Sequence, residues 1–150
     1  MTSFFVSVGS NIDPEKNVPA CIELLKQGFR VANMSSIYET NPVGPAGDFK
    51  FWNFVVELDF GLSKVELEKK LKTIEDALGR KRDPQNKFSP RTIDLDIIGS
   101  DGWQDAPFIV IPFAEIAPDH IDKISGKKLR DLADACGPYG TQIKNTKYFA

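Results

Sequence analysis

Asp94 and Asp96 stand in the run Pro90-Arg91-Thr92-Ile93-Asp94-Leu95-Asp96-Ile97, where apolar and polar residues alternate. Alternation at period two is the mark of a strand. Residues two apart in a strand share a face. Thr92, Asp94 and Asp96 therefore lie on one side, and Ile93, Leu95 and Ile97 on the other. Adjacent carboxylates repel unless water screens them or a cation sits between them. Taken alone, Asp-x-Asp reads first as the solvated face of a strand. The residues upstream change that weighting, because Arg80, Lys81, Arg82, Lys87 and Arg91 crowd together just before the pair. Hard divalent cations such as Mg2+ take carboxylate oxygens and keep waters and substrate phosphates as further ligands. Arginines grip the remaining phosphate oxygens. A carboxylate pair beside a cationic loop is what a polyphosphate–metal complex needs.

The rest of the chain must position that stretch. Its 150 residues suit one domain, residues 1–150, with a real core, and 41% hydrophobic with 27% charged residues is ordinary for a soluble globular protein. A net charge of −2 argues against bulk nucleic-acid binding, so any anion site is a local cluster. The chain has no apolar run long enough to span a bilayer and no leader pattern, which points to the cytoplasm. Cys21 and Cys136 are expected as buried free thiols, and a single histidine, His120, discourages a zinc site.

The first strand runs from Ser3 to Val8 and stops at Gly9-Ser10-Asn11, which is either a plain turn or a set of backbone donors for an anion. Asp13-Pro14 opens a helix as N-cap and first residue, although Pro19 then requires a later start or irregular first turns. Residues 31–40 look extended. A loop with two prolines and two glycines, residues 41–48, leads to a strand over residues 51–60, with Phe54, Val56, Leu58 and Phe60 on one face and Asn53, Val55, Glu57 and Asp59 on the other. Asn53 could read a polar heterocycle or merely cap the loop. Ser63-Lys64-Val65-Glu66 is a capping box, Leu67, Leu71, Ile74 and Leu78 recur at helical spacing, and Gly79 ends the helix. On composition, Lys72, Glu75 and Asp76 are solvated surface. Phe88 in the basic loop is core filling or part of a lid. After the aspartate strand comes a turn, then an extended piece over residues 108–111 and a short turn of helix around Glu115. A helix over residues 127–136 precedes a polar tail. The order is strand, helix, strand, strand, helix, strand, then small helices. That is an α+β class, the ferredoxin-like split βαβ arrangement, with an antiparallel sheet covered by helices on one face.

Gly9-Ser10-Asn11, Ser36-Ile37-Tyr38-Glu39-Thr40 with Pro42-Val43-Gly44-Pro45, Phe51-Trp52-Asn53, Gly79-Arg80, Pro90-Arg91-Thr92-Ile93-Asp94-Leu95-Asp96 and Glu115-Ile116-Ala117-Pro118 together resemble the 6-hydroxymethyl-7,8-dihydropterin pyrophosphokinase family over residues 4–118. The resemblance implies an ATP-dependent diphosphokinase of folate biosynthesis, which moves the β,γ-diphosphoryl group of ATP to a reduced pterin and releases AMP. It implies two Mg2+ ions held by Asp94 and Asp96, with Arg80 and Arg91 as catalytic phosphate clamps and Arg82 and Phe88 on a mobile lid. Thr40, Pro42, Val43 and Asn53 would line the pterin pocket, and Phe51 and Phe108 would stack on the two pterin faces. Lys72, Glu75 and Ile97 fall at nucleotide-side positions. The implied partners are ATP and the reduced pterin, with neither nucleic acid nor membrane.

The chain departs from the family pattern in one place. Only residues 99–107 separate the aspartate strand from Phe108, the family's Pro-His motif is missing, and Ala106 stands where an arginine is expected. A non-catalytic relative that binds pterin or nucleotide is the alternative reading. A nucleic-acid-binding module on the same fold would need a basic sheet face and an aromatic RNA-binding pattern, neither of which the sequence carries.

Overall fold

The structure, a computed structural model, describes residues 2–40, 50–79 and 92–143, with side chains as far as residue 140. In chain order the elements are β1 (Thr2–Ser10), α1 (Pro14–Gly28), β2 (Arg30–Met34), β3 (Ile37–Thr40), β4 (Phe51–Phe60), α2 (Lys64–Ala77), β5 (Asp94–Ile97), α3 (Pro107–Ile116), α4 (Leu129–Cys136) and β6 (Thr141–Ile143). The strands lie in the order β5-β1-β4-β3-β6, β2 also pairs with β4, and every pairing is antiparallel. The order of the ferredoxin-like core, with the last strand beside the first, is therefore present.

The period-two pattern of β4 divides the interior. Phe54, Val56, Leu58 and Phe60 join Val6 and Val8 of β1, Ile93 and Leu95 beside or in β5, and the apolar stripes of α1 and α2. This is the larger core, and it covers one sheet face with the two long helices. Val55 and Phe5 point the other way, onto a second cluster made by Trp103, Val110, Phe113 and Leu129 with residues of α3 and α4. The small helices thus occupy part of the face expected to stand open, and leave its end around Gly9, Asn53 and Asp94 clear of that cluster.

Both long helices begin much as the sequence indicates, with one exception. Ser63 Oγ accepts from the Glu66 N–H at 3.3 Å, and Gly79 closes α2 at φ +79°. Asp13, expected as a side-chain N-cap, instead takes a left-handed backbone and makes no capping bond. Asn17 Nδ2 donates to the Ile12 carbonyl at 2.6 Å and holds that corner in its place.

Proline misled the boundaries twice. α1 runs unbroken through Pro19, and α3 is a single helix through Pro112, where an extended piece and a separate turn were expected. Each helix has a proline at its first position and a second at its sixth. A proline at the sixth position removes only the bond to the second residue's carbonyl, in the first turn, where the helix loses least.

Two further differences concern the sheet. The extended run after α1 is two strands, broken at buried Ser35, whose Oγ accepts from the Val55 N–H at 2.9 Å. The polar tail carries β6, which pairs with β3 from Ile37 to Glu39. Cys21 is buried and Cys136 half-buried, and both are free. Burial, with Glu75 adding to it, pushes the Cys21 thiol up to about 12.

Candidate active site

The register of four strands sets one row of residues across the open end of the sheet. Gly9 of β1 pairs with Asp94 of β5 on one side and with Asn53 of β4 on the other, and Asn53 pairs in turn with Tyr38 of β3. Directly paired residues share a face. Strands lie 4.7–4.9 Å apart, so the backbones of Asp94 and Asn53 are about 10 Å apart. Gly9 between them has no side chain. The result is a groove with a glycine floor, a carboxylate wall and a carboxamide wall.

The carboxylate wall is the aspartate strand. Asp94 is half-buried, Asp96 is exposed and pairs with Ser7, and Leu95 between them is buried in the main core. The co-facial pair expected from alternation is therefore present. Thr92, on the same face, has a buried hydroxyl with no hydrogen-bond partner among the described residues. The strand is tied down on both sides. Ser10 Oγ donates to the Thr92 carbonyl at 2.6 Å, so β1 extends through Ser10 and the Gly-Ser-Asn stretch is more than a turn. From α2, Glu75 accepts the Leu95 N–H at 2.8 Å.

Glu75 overturns the reading from composition. It is only 3% exposed, not solvated surface. The signal was in the helical spacing, since Glu75 follows Leu71 by four residues and lies on the same apolar face. Lys72 is exposed on α2, as composition indicated, and Ile97 packs against the main core.

The carboxamide wall gathers Thr40, Phe51 and Asn53. Thr40 pairs with Phe51, and Phe51 shares the face of Asn53 two residues on. Asn53 is buried, and its Oδ1 leans over Gly9 so closely that a Cβ there would lie 2.9 Å away. Its Nδ2 donates to the Tyr139 hydroxyl at 3.4 Å. Tyr38 donates to Glu115 Oε2, while Ser36 N and Oγ donate to Glu115 Oε1 at 2.8 and 2.7 Å. Burial, together with the Glu115 carboxylate, pushes the Tyr38 phenol well above its ordinary range. No periodic signal marks Tyr139 or Glu115, because both act across the fold and not along an element.

Phe108, expected in an extended piece, is the second residue of α3 and 43% exposed. Residues 99–107 form a tightly held turn. Trp103 is buried and donates from Nε1 to the Gly99 carbonyl at 2.8 Å, and Gln104 Nε2 donates to Ser100 O and Asp122 Oδ1, both at 2.9 Å. Ala106 is the N-cap of α3. Arg80, Arg82, Phe88, Arg91, Pro42 and Val43 lie outside the described residues.

The donor set suits one kind of metal. Among the described residues no group of three or more His, Cys, Asp or Glu side chains gathers. Two carboxylates on a strand fit an ion that draws its other ligands from phosphate and water, as Mg2+ does. They do not fit a closed protein cage such as structural zinc requires.

An antiparallel α+β sheet with co-facial carboxylates on its edge strand and a polar groove beside them fits the class of metal-assisted phosphoryl or diphosphoryl transferases. The chain belongs to the 7,8-dihydro-6-hydroxymethylpterin-pyrophosphokinase family, whose model matches residues 5–118. It is 31% identical to the 2-amino-4-hydroxy-6-hydroxymethyldihydropteridine pyrophosphokinase of Methylorubrum extorquens, an alignment that covers 95% of this chain and 98% of that one. The enzymes of the same name from Pseudomonas aeruginosa and Synechocystis are 32% and 36% identical, over 88% and 86% of this chain and 90% and 73% of theirs.

Proposed function

We infer that the protein is an ATP-dependent diphosphotransferase of folate biosynthesis, which moves the β,γ-diphosphoryl group of ATP to the hydroxymethyl group of 6-hydroxymethyl-7,8-dihydropterin and releases AMP. The observation that supports this most is the row Asp94–Gly9–Asn53, which brings a carboxylate and a carboxamide to two sides of one glycine. Asp94 and Asp96 would hold Mg2+, in the expected number of two, which would supply charge neutralisation at the phosphates. Asn53 offers one acceptor and two donor hydrogens to the polar edge of the pterin. Phe51 lies under one ring face and Phe108 closes over the other. Pro42 and Val43 complete the pocket beside Thr40. Arg80 and Arg91 hold the phosphates in line, Arg82 and Phe88 close over them and exclude water, and Lys72, Glu75 and Ile97 border the nucleotide. Such a reaction depends more on positioning and charge neutralisation than on a base. No helix among the described residues is long and apolar enough to cross a membrane; the cytoplasm is the compartment proposed with this reading.

The test is AMP release from Mg-ATP in the presence and absence of the reduced pterin, in single-turnover format beside direct binding of a non-hydrolysable ATP analogue. Pterin-dependent AMP release is expected, and Asp94→Asn and Asp96→Asn should each abolish it while leaving the protein folded. Near-native turnover in either variant at saturating Mg2+ would remove the metal role from that residue. Ala106 in place of an arginine favours slow chemistry with ordinary nucleotide affinity, since a missing cation matters most where charge shifts in the transition state. Both ligands bound with no AMP released would establish a non-catalytic binding protein instead.

A further inference from the structure

The family match ends at residue 118, but the sheet continues past it into β6. We propose that Tyr139, just before β6, is a positioning residue that orients the Asn53 carboxamide for the reduced pterin, so that the C-terminal strand takes part in substrate recognition. The proposal rests on the reading of the groove given above.

Three observations meet at this residue. Asn53 is fixed along its backbone by Gly9 and Tyr38, yet a carboxamide can still rotate and exchange its donor for its acceptor. Here Oδ1 lies over the glycine floor and Nδ2 donates to Tyr139 Oη at 3.4 Å. That distance is long for a hydrogen bond, so Tyr139 biases the carboxamide without clamping it. Tyr139 is half-buried, so its phenol meets the carboxamide inside the fold and not in open solvent.

The tyrosine is itself held. Its ring lies 6.2 Å from that of Tyr38, and Tyr38 is anchored through its hydroxyl to Glu115 of α3. Gly140 follows at φ +61°, and a Cβ there would lie 2.8 Å from the Glu39 carbonyl oxygen and 3.0 Å from Thr40 Cγ2. Only glycine lets the chain pass β3 this closely, and that passage delivers Tyr139 to Asn53. Burial pushes the phenol above its ordinary range, against the hydrogen bond from Asn53. A heterocycle with a fixed order of donors and acceptors gains most from a carboxamide whose orientation is already set.

The experiment is steady-state kinetics of the full chain with Mg-ATP and the reduced pterin for Tyr139→Phe, Gly140→Ala and Asn53→Ala. Tyr139→Phe should raise the pterin KM about 3- to 10-fold, the size of one neutral hydrogen bond. The kcat, the affinity for a non-hydrolysable ATP analogue and the unfolding midpoint should stay in place. The Asn53 side-chain amide resonances of the free protein should shift, which a purely structural role would not require. Gly140→Ala should reproduce the KM effect; if it fails to fold, Tyr139→Phe alone decides. An unchanged KM in Tyr139→Phe, with Asn53→Ala raising it, overturns the role of Tyr139 and leaves the groove intact. A lower KM would mean that Tyr139 occupies the substrate's place, which also overturns it. An unchanged KM in Asn53→Ala would instead overturn the pterin reading of the groove.

Discussion

A methyl group on the groove floor separates substrate recognition from folding. Gly9 is not among the glycines with positive φ, so alanine can adopt its backbone. The added Cβ would lie 2.9 Å from Asn53 Oδ1, with no atom of Asp94 within 4 Å. Ordinary contact begins near 3.4 Å, so Oδ1 must retreat by about 0.5 Å (3.4 − 2.9). Twisting that carboxamide from its rotamer costs about 0.5–1.5 kcal/mol. The restricted unfolded chain returns about 0.4–1 kcal/mol. Folding stability should therefore change by less than about 1 kcal/mol. Pterin binding has no such offset. Losing one or two hydrogen bonds to the displaced carboxamide weakens it by about 1–3 kcal/mol, or roughly 5- to 150-fold in KM. Nucleotide affinity should hold, because the perturbation stays on the Asn53 side. Urea unfolding followed through Trp52 and Trp103, beside separate titrations of pterin and ATP analogue, measures all three. Equal weakening of both ligands, or a stability loss above about 2 kcal/mol, would refute the argument.

The remaining predictions concern other parts of the frame. Glu75→Ala strips the Leu95 N–H of its acceptor and should cost about 1–3 kcal/mol in urea unfolding, whereas Glu75→Gln keeps an acceptor and should cost less; equal losses would mean that the bond to Leu95 is not what matters. Burial pushes the Asp122 carboxyl up, but hydrogen bonds from Gln104, Ser125 and the Ile124 N–H outweigh it and hold the group at about 2. Its folded value is thus depressed, so its stabilisation is fully present above about pH 4 and is lost as pH falls through about 2. The stability gap between the parent and Asp122→Asn should narrow over that window, and a gap independent of pH would sink the assignment. Phe51→Ala and Phe108→Ala should each weaken pterin binding by about 1–3 kcal/mol while sparing the nucleotide; no weakening in either would move the stacking faces elsewhere.

What the sequence made legible was whatever repeats along one element. The faces of β4, the stripe of α2 and the pairing of Asp94 with Asp96 all follow from period alone, and the element order then names the sheet. What it hid depends on contacts between elements. Gly9 reads as a turn glycine until the register shows it between Asn53 and Asp94. Glu75 reads as surface because a charged residue on an apolar face looks like an error in the stripe. Pro19 reads as a late start or irregular first turns and Pro112 as the opening of a new turn, because the usual rule concerns helix interiors, and both lie where only a first-turn carbonyl is lost. Tyr139 was beyond reach, since no local pattern shows that a tail returns to pair with β3.

The bond from Glu75 to Leu95 has a consequence for how the molecule meets others of its kind. β5 stands at the border of the sheet, with one side paired to β1. A border strand offers bare backbone donors and acceptors to any extended segment that drifts past, including a copy of itself. Side chains on such a border are also open to solvent, as exposed Asp96 is. Glu75 lessens the hazard: it takes up the outward N–H of Leu95 from a helix that cannot itself extend the sheet. A buried acid in α2 thus withdraws one backbone donor from edge-to-edge pairing at the strand that carries the carboxylates.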